Sequence, residues 1–235
     1  MIRFILLSLL PLGSCIAVIA QELPFRSCLN LADSLGRKQG WWCKATPDGV
    51  KVYEGAFVND LPVDTFTYFY PNGTTKASVI HTDNARVAVS TTWFPNGKKM
   101  SVGRYIDRER DSLWQFFNEF DGSLISEEFY RKGKKEGQEK IFYPGGGVAE
   151  TLSWKAGIEE GTWLQYFEDG TVKLKCQFMN GEKEGRLEAF FPSGKLQVTG
   201  SYANGHQDGE WIYYDEEGAV VDKMHYDKGT LLKPD

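Results

Sequence analysis

The sequence predicts an all-β fold, an elongated antiparallel array of β-hairpins with about eight repeats of 24 residues. Three observations carry that prediction. Gly49, Gly73, Gly97, Gly122, Gly146, Gly170, Gly194 and Gly218 recur at intervals of 24, 24, 25, 24, 24, 24 and 24 residues. A fixed period of this size marks an array whose units bury a core only by stacking on one another. Asp48-Gly49, Asn72-Gly73, Asn96-Gly97, Asp121-Gly122 and Asp169-Gly170 are turn dipeptides, because Asn, Asp and Gly tolerate positive φ. Aromatic residues recur in register between the turns, and no stretch of the repeat region keeps a helical period.

Residues 1–20 stand apart. After Arg3, Phe4 to Ala20 carries no charge, and Val18-Ile19-Ala20 offers compact residues for cleavage before Gln21, so a secretory signal peptide is expected. Pro11 and Gly13 interrupt the run and argue against a retained span. Leu12-Gly13-Ser14-Cys15 resembles the lipobox of bacterial lipoproteins, with lipoprotein anchoring at Cys15 as the alternative. Residues 21–39 form an N-terminal cap segment, in which Asn30 to Leu35 is expected to be a short helix over the first strand edge. The repeats occupy 40–230, and Leu231 to Asp235 is a polar tail.

Within the repeats, residues 205–218 read Gly-His-Gln-Asp-Gly-Glu-Trp-Ile-Tyr-Tyr-Asp-Glu-Glu-Gly, and 133–146, 157–170 and 181–194 keep the same frame. Each unit is a Gly-x-x-x-Gly turn, a strand, a turn ending in Gly, and a returning strand, which predicts a sixteen-strand meander. Pro71, Pro95, Pro144 and Pro192 close strands ahead of several turns.

Three aromatic columns run through the copies. The first, five residues after the second Gly, holds Phe69, Trp93, Phe117, Phe142, Tyr166, Phe190 and Tyr214, and breaks at Ala45. The second, eight after the turn Gly, holds Phe57, Tyr105, Tyr130, Trp154, Phe178, Tyr202 and Tyr226, and breaks at His81. The third, two after the second Gly, holds Trp42, Phe66, Trp114, Trp163, Leu187 and Trp211. Strand alternation sets the first and third columns on opposite faces, and a bulge is expected to reunite them in one aromatic core. Asp64 and Ala88 stand where later copies have Gly, and the turn at Asn118 to Asp121 has one extra residue.

The Gly-x-x-x-Gly-x-Trp-x-x-Tyr-x-x-x-Gly frame of 157–170 and 205–218 resembles the bacterial variant of the MORN repeat, over about 40–229. Proteins built only of this variant include those labelled YwqK-like antitoxins, proposed as immunity partners of toxins. The resemblance implies a MORN-like hairpin solenoid, a binding role directed mostly at protein, and no catalytic residues to transfer.

Composition bounds the function. At 41% hydrophobic and 25% charged, the chain is globular. Its net charge is −5, and removal of residues 1–20 takes away only Arg3, so the mature chain is more acidic still. Nucleic acid and bulk anionic membrane reward positive charge and are disfavoured as partners. No second apolar run is long enough to span a bilayer. His81, His206 and His225 lack ligand spacing, and no nucleophile elbow or phosphate loop is present, so neither an enzyme nor a metal or cofactor site is expected. Glu159-Glu160 and Glu216-Glu217 are expected as solvated turn residues, and a catalytic pair of dispersed acids is the remaining enzyme reading. Cys28 and Cys43 are a candidate disulfide pinning the cap to the first repeat, and Cys176 is a buried hydrophobe. The candidate partner-binding residues are the basic cluster Arg131, Lys132, Lys134 and Lys135, and Trp41, which falls outside the columns and is the best candidate for an exposed ring. The chain therefore reads as an exported, non-enzymatic protein-binding scaffold. An envelope glycan- or lipid-binding module is the alternative, with the tryptophans as a stacking platform.

Overall fold

The computed structural model describes residues 29–232. They form nineteen strands and no helix. The first nine are β1 (Leu31–Ala32), β2 (Lys38–Ala45), β3 (Lys51–Val58), β4 (Leu61–Phe69), β5 (Thr75–Thr82), β6 (Val87–Trp93), β7 (Lys99–Ile106), β8 (Glu109–Phe117) and β9 (Leu124–Arg131). The next five are β10 (Lys134–Lys135), β11 (Gly137–Phe142), β12 (Val148–Lys155), β13 (Ile158–Tyr166) and β14 (Val172–Met179). The last five are β15 (Glu182–Phe190), β16 (Leu196–Ala203), β17 (His206–Tyr214), β18 (Val220–Asp227) and β19 (Thr230–Leu232).

Each long strand pairs antiparallel with the next along the chain, in one open sheet of hairpins. Both β10 and β11 pair with β9, and only Glu136 separates them, so they are two pieces of one strand. Counting them as one, and leaving out the short end strands β1 and β19, gives the expected sixteen-strand meander.

The ends differ from expectation. Asn30 to Leu35 is not a helix: Leu31 and Ala32 pair with Gln39 and Lys38. The Asp33 carboxylate accepts the N–H groups of Leu35 (2.9 Å) and Arg37 (3.0 Å), and Gly36 takes φ 76, which reverses the chain. The first strand edge is covered, but by a strand. At the other end, Leu231 and Leu232 pair with Tyr226 and His225, so they extend the sheet and are not a tail.

Two features of the repeat set its shape. Gly161, Gly185 and Gly209 adopt φ 100, 73 and 71, and beside them the register between hairpins slips at Leu152/Trp154, Lys175/Gln177 and Thr199/Ser201. Asp64 and Ser112 keep the same slip at φ 55 and 62. Ala88 does not, and β5–β6 pairs without a shift. The positive φ values move instead into the loop, to Asp83, Asn84 and Ala85.

The third column is the core. Phe66, Trp114, Leu187 and Trp211 are buried. Their rings lie over glycines of the preceding strand: a Cβ on Gly55, Gly103 or Gly200 would fall 2.5, 2.1 or 2.2 Å from Phe66, Trp114 or Trp211. These glycines are not turn residues; they make room for a ring. The first column stays out of this core. Trp163, Tyr202, Tyr213, Met224 and Tyr226 pack on the cluster of Cys176, Leu187 and Trp211, whereas Tyr166, Phe190 and Tyr214 do not. Phe69 and Phe117 lie beneath Lys51 and Lys99 instead. Register shifts do precede the first-column residues, but they do not merge the columns as expected.

Hydrogen bonds at the hairpin ends tie neighbours together. Glu136, Glu160, Glu184 and Asp208, each just before the second Gly, accept the N–H of Ala156, Asn180, Asn204 and Lys228 at 2.8, 2.9, 2.9 and 3.4 Å. Glu160 is thus a strand residue latching the next turn, not a free solvated charge.

Candidate functional site

The sheet face carrying the second and third columns is the candidate site. On it the rings alternate edge to face along the array. Phe66 meets Phe57 at 4.9 Å and His81 at 5.6 Å, Trp114 meets Tyr105 at 4.9 Å and Tyr130 at 6.5 Å, and Trp211 meets Tyr202 at 5.4 Å and Tyr226 at 6.1 Å. A cation two residues before the second Gly caps several of these pairs. Lys38 lies over Trp42 and Phe57, Arg110 over Trp114 and Tyr130, Lys135 over Trp154, and Lys183 over Trp163 and Tyr202.

The third column lacks a ring at Ser90, Glu139 and Leu187. Leu187 fills its place with aliphatic volume and is buried over Cys176, which is wholly buried. Burial pushes the Cys176 thiol up, as expected of a packed hydrophobe and not of a reactive group.

At Glu139 the gap is filled by charge. Lys135 Nζ reaches Glu139 Oε1 at 2.6 Å and Glu128 Oε1 at 3.4 Å. Trp154 Nε1 donates to Glu139 Oε2 at 2.7 Å, the Tyr130 hydroxyl donates to Glu128, and Arg110 donates to Tyr130 Oη at 3.0 Å. Burial works against the Lys135 charge, but the Glu139 and Glu128 carboxylates outweigh it and hold the ammonium above its ordinary range.

At Ser90 no ring fills the place: the serine is small and buried, and Val79 pairs with it where ring-bearing copies have a glycine before the ring. A cavity of about 680 Å³ lies nearby, at the ends of the β3–β4, β5–β6 and β7–β8 hairpins, lined by Leu61, Pro62, Val79, His81, Ala88 and Tyr105. The His81 Nδ1 is buried without a hydrogen-bond partner. Burial also pushes the imidazole below its ordinary value, so it is neutral at neutral pH. Arg86 occupies the capping position, but with no ring beneath it pairs outward with Asp83 at 2.5 Å, both side chains about half exposed.

The residues singled out in the sequence are dispersed. Arg131, Lys132 and Lys134 are exposed around the β9–β10 turn. Lys135 leaves that cluster and is drawn into the core network. Trp41 is half-buried on β2; Trp114 and Trp211 are buried in the core, and the other tryptophans are half-buried. Cys43 is disulfide-bonded, while Cys28 lies outside the described residues, as do Cys15 and residues 1–20. Among the described residues no group of three His, Cys, Asp or Glu could hold a metal ion, and no helix is long and apolar enough to cross a membrane. His81 appeared in the sequence only as a break in a column; the structure sets it in the cavity lining.

A family model described as a MORN repeat variant matches residues 159–180, 183–204 and 207–228, so three consecutive MORN-variant repeats are present. Among curated proteins none matches the chain. Two solved structures share partial likeness. A crystal structure of TarM is 16% identical over 51% of this chain and 19% of its own, with a TM-score of 0.27. A mutant of S. aureus TarM in complex with fondaparinux, α-GlcNAc-glycerol and UDP is 14% identical over 51% and 19%, with a TM-score of 0.24. The chain thus spans about a fifth of those proteins.

Proposed function

We propose that this chain is an exported, non-catalytic scaffold that binds another protein through its ring-bearing face, with an immunity-type antitoxin role as the most specific form. The observation that carries the reading is the single-layered sheet. Rings such as Trp163, Tyr202 and Tyr213 remain only partly buried against their neighbours, and a cavity lined by His81 and Tyr105 opens elsewhere along the array. Partly exposed aromatic surface rimmed by charge is the usual composition of a protein interface. MORN repeats often bind proteins or membranes, and the acidic balance of this chain favours the first.

Export is supported by the uncharged run at residues 4–20 and by the bonded Cys43, since disulfides persist in oxidising compartments. Cys176 is free, so in a chain that loses residues 1–20 the remaining partner for Cys43 is Cys28.

The test uses the mature chain as immobilised bait for the exported fraction of its host. A discrete polypeptide should be retained. Leu61→Asp, on the exposed cavity wall, should lose it, and Val89→Asp should keep it, because Val89 alternates with buried Ala88 and Ser90 and faces the other way. Retention of glycan or lipid without polypeptide would contradict the reading.

A further inference from the structure

We propose that Phe120 is an anchor that docks into an apolar, cation-rimmed pocket of a partner polypeptide, on a surface separate from the ring-bearing face. The inference rests on the protein-binding reading only for the class of partner. It starts from the one break in the period. Seven of the eight turns that end in the repeat glycine close on a hydrogen bond from that glycine to the residue three before it, as Gly97 does to Phe94 and Gly146 to Tyr143. The turn after β8 holds one residue more, and the Gly122 N–H reaches back four positions to the Asn118 carbonyl at 2.9 Å. The central residues of the seven shorter turns are Pro, Gly, Asn, Asp, Ser or Glu. The longer one carries Phe120, 85% exposed and the most exposed large hydrophobic side chain among the described residues.

A single exposed apolar side chain needs no explanation by itself. This one stands on a backbone fixed from both sides. Asn118 Oδ1 accepts the Phe120 N–H at 2.7 Å, and Asp121 Oδ1 accepts the N–H and hydroxyl of Ser123 at 2.8 and 2.7 Å. From the preceding copy, Asn96 donates to the Glu119 carbonyl at 3.0 Å and Lys98 Nζ donates to the Phe120 carbonyl. The turn is thus ordered before any partner arrives, which removes part of the ordering cost of binding. At its exposure the ring adds little to the chain's own core, and its apolar surface leaves water only when another molecule covers it.

The surroundings state the partner's chemistry. Exposed Glu119 and Asp121 flank the ring and outnumber Lys98 beside it. Glu168, Asp169, Glu216 and Glu217 carry the same sign onto later tips along this edge of the sheet. Exposed Pro95 and Pro144 on the adjacent tips extend the apolar centre. An apolar knob within an acidic rim complements an apolar pocket bordered by Lys or Arg. The same rim opposes an anionic lipid surface, which rewards the other charge.

The experiment puts the photocrosslinker p-benzoylphenylalanine in place of Phe120 in the full mature chain, and in place of Ser193 on a shorter tip as the control. Each is irradiated with the exported fraction of the host. One polypeptide should crosslink from the Phe120 site and not from the Ser193 site, through a segment that combines apolar side chains with Lys or Arg. Against that polypeptide once purified, Phe120→Ser should weaken binding about thirtyfold, the size of an interface hot spot. Phe120→Leu, which keeps an apolar side chain, should lose only about threefold. Glu119→Lys should weaken binding about fivefold, and that loss should shrink as salt is raised. Phe120→Ser should leave the melting temperature unchanged, which separates lost docking from lost folding. Equal crosslinking from both sites, crosslinks to lipid or to a second copy, no crosslink, or unweakened binding by Phe120→Ser would overturn the proposal. Capture that Leu61→Asp abolishes and Phe120→Ser spares would also overturn it while leaving the ring-face reading standing. Docking that depends on Phe120 and survives Leu61→Asp would support the anchor and remove the ring-bearing face as the contact.

Discussion

The β5–β6 hairpin and the β9–β11 seam both lack a ring in the same column, and the chain treats them in opposite ways. At the seam, Lys135 bridges Glu128 and Glu139, and the Trp154 indole completes the network, so the gap is closed by charge and hydrogen bonds. At β5–β6, Ser90 and Ala88 are small and buried, Arg86 pairs outward with Asp83, and a cavity lined by His81, Ala88 and Tyr105 lies beside them. The difference shows that a missing ring does not by itself make a site.

That comparison can be broken by substitution. Trp114→Ala, in an intact stretch between the two gaps, should cost about 3–5 kcal/mol in equilibrium unfolding, because it empties a fully packed position. A loss near zero would mean the ring column does not hold the sheet. Next in size is Lys135→Ala, which leaves two largely buried carboxylates facing each other and should cost about 3 kcal/mol. The counterpart Arg86→Ala should be nearly silent in the same denaturant series, since exposed pairs contribute about 0–1 kcal/mol. If the two losses were equal, the contrast between closed and open gaps would fail. The seam stability also has a sign in pH: with the folded Lys135 held above its ordinary value, the contribution is complete below the unfolded pKa and is lost as pH rises through the folded one.

Smaller effects sharpen the picture. Glu160→Gln weakens the latch on Asn180 and should cost about 1 kcal/mol, read as faster amide exchange in the β14–β15 turn. Asp33, where burial raises the carboxyl but hydrogen bonds from Arg37, Leu35 and Gln39 outweigh it, is held at about 2. The order it lends the β1–β2 turn is therefore present above its ordinary value near 3.8 and is lost as pH falls toward about 2, observable as fraying of Leu31 and Ala32 by NMR.

Much of this architecture was legible because it repeats. The turn glycines, the hairpins and the second and third columns follow from a period that any copy can check against the others. What escaped was whatever depends on contact between neighbouring copies. Gly55, Gly103 and Gly200 look like any other glycine until a ring of the next strand is seen above them. Glu160 reads as a turn charge until its carboxylate meets the following turn. Lys135 sits among four basic residues in sequence, yet strand alternation sends it alone into the core. The first and third columns were wrongly expected to merge, because register shifts can be anticipated from sequence more easily than the face they leave a side chain on. The cavity was half visible, as the break at His81, but its lining comes from three hairpin ends that meet only in the fold.

The claim on which the account rests is that Phe66, Trp114 and Trp211 each lie on a glycine of the strand before them. A double-mutant cycle on Gly200 and Trp211 measures this directly by equilibrium unfolding. Gly200→Ala should cost about 1–3 kcal/mol in the native background, where its Cβ meets the indole, and almost nothing once Trp211→Ala has removed that ring. Strictly additive losses would contradict the account.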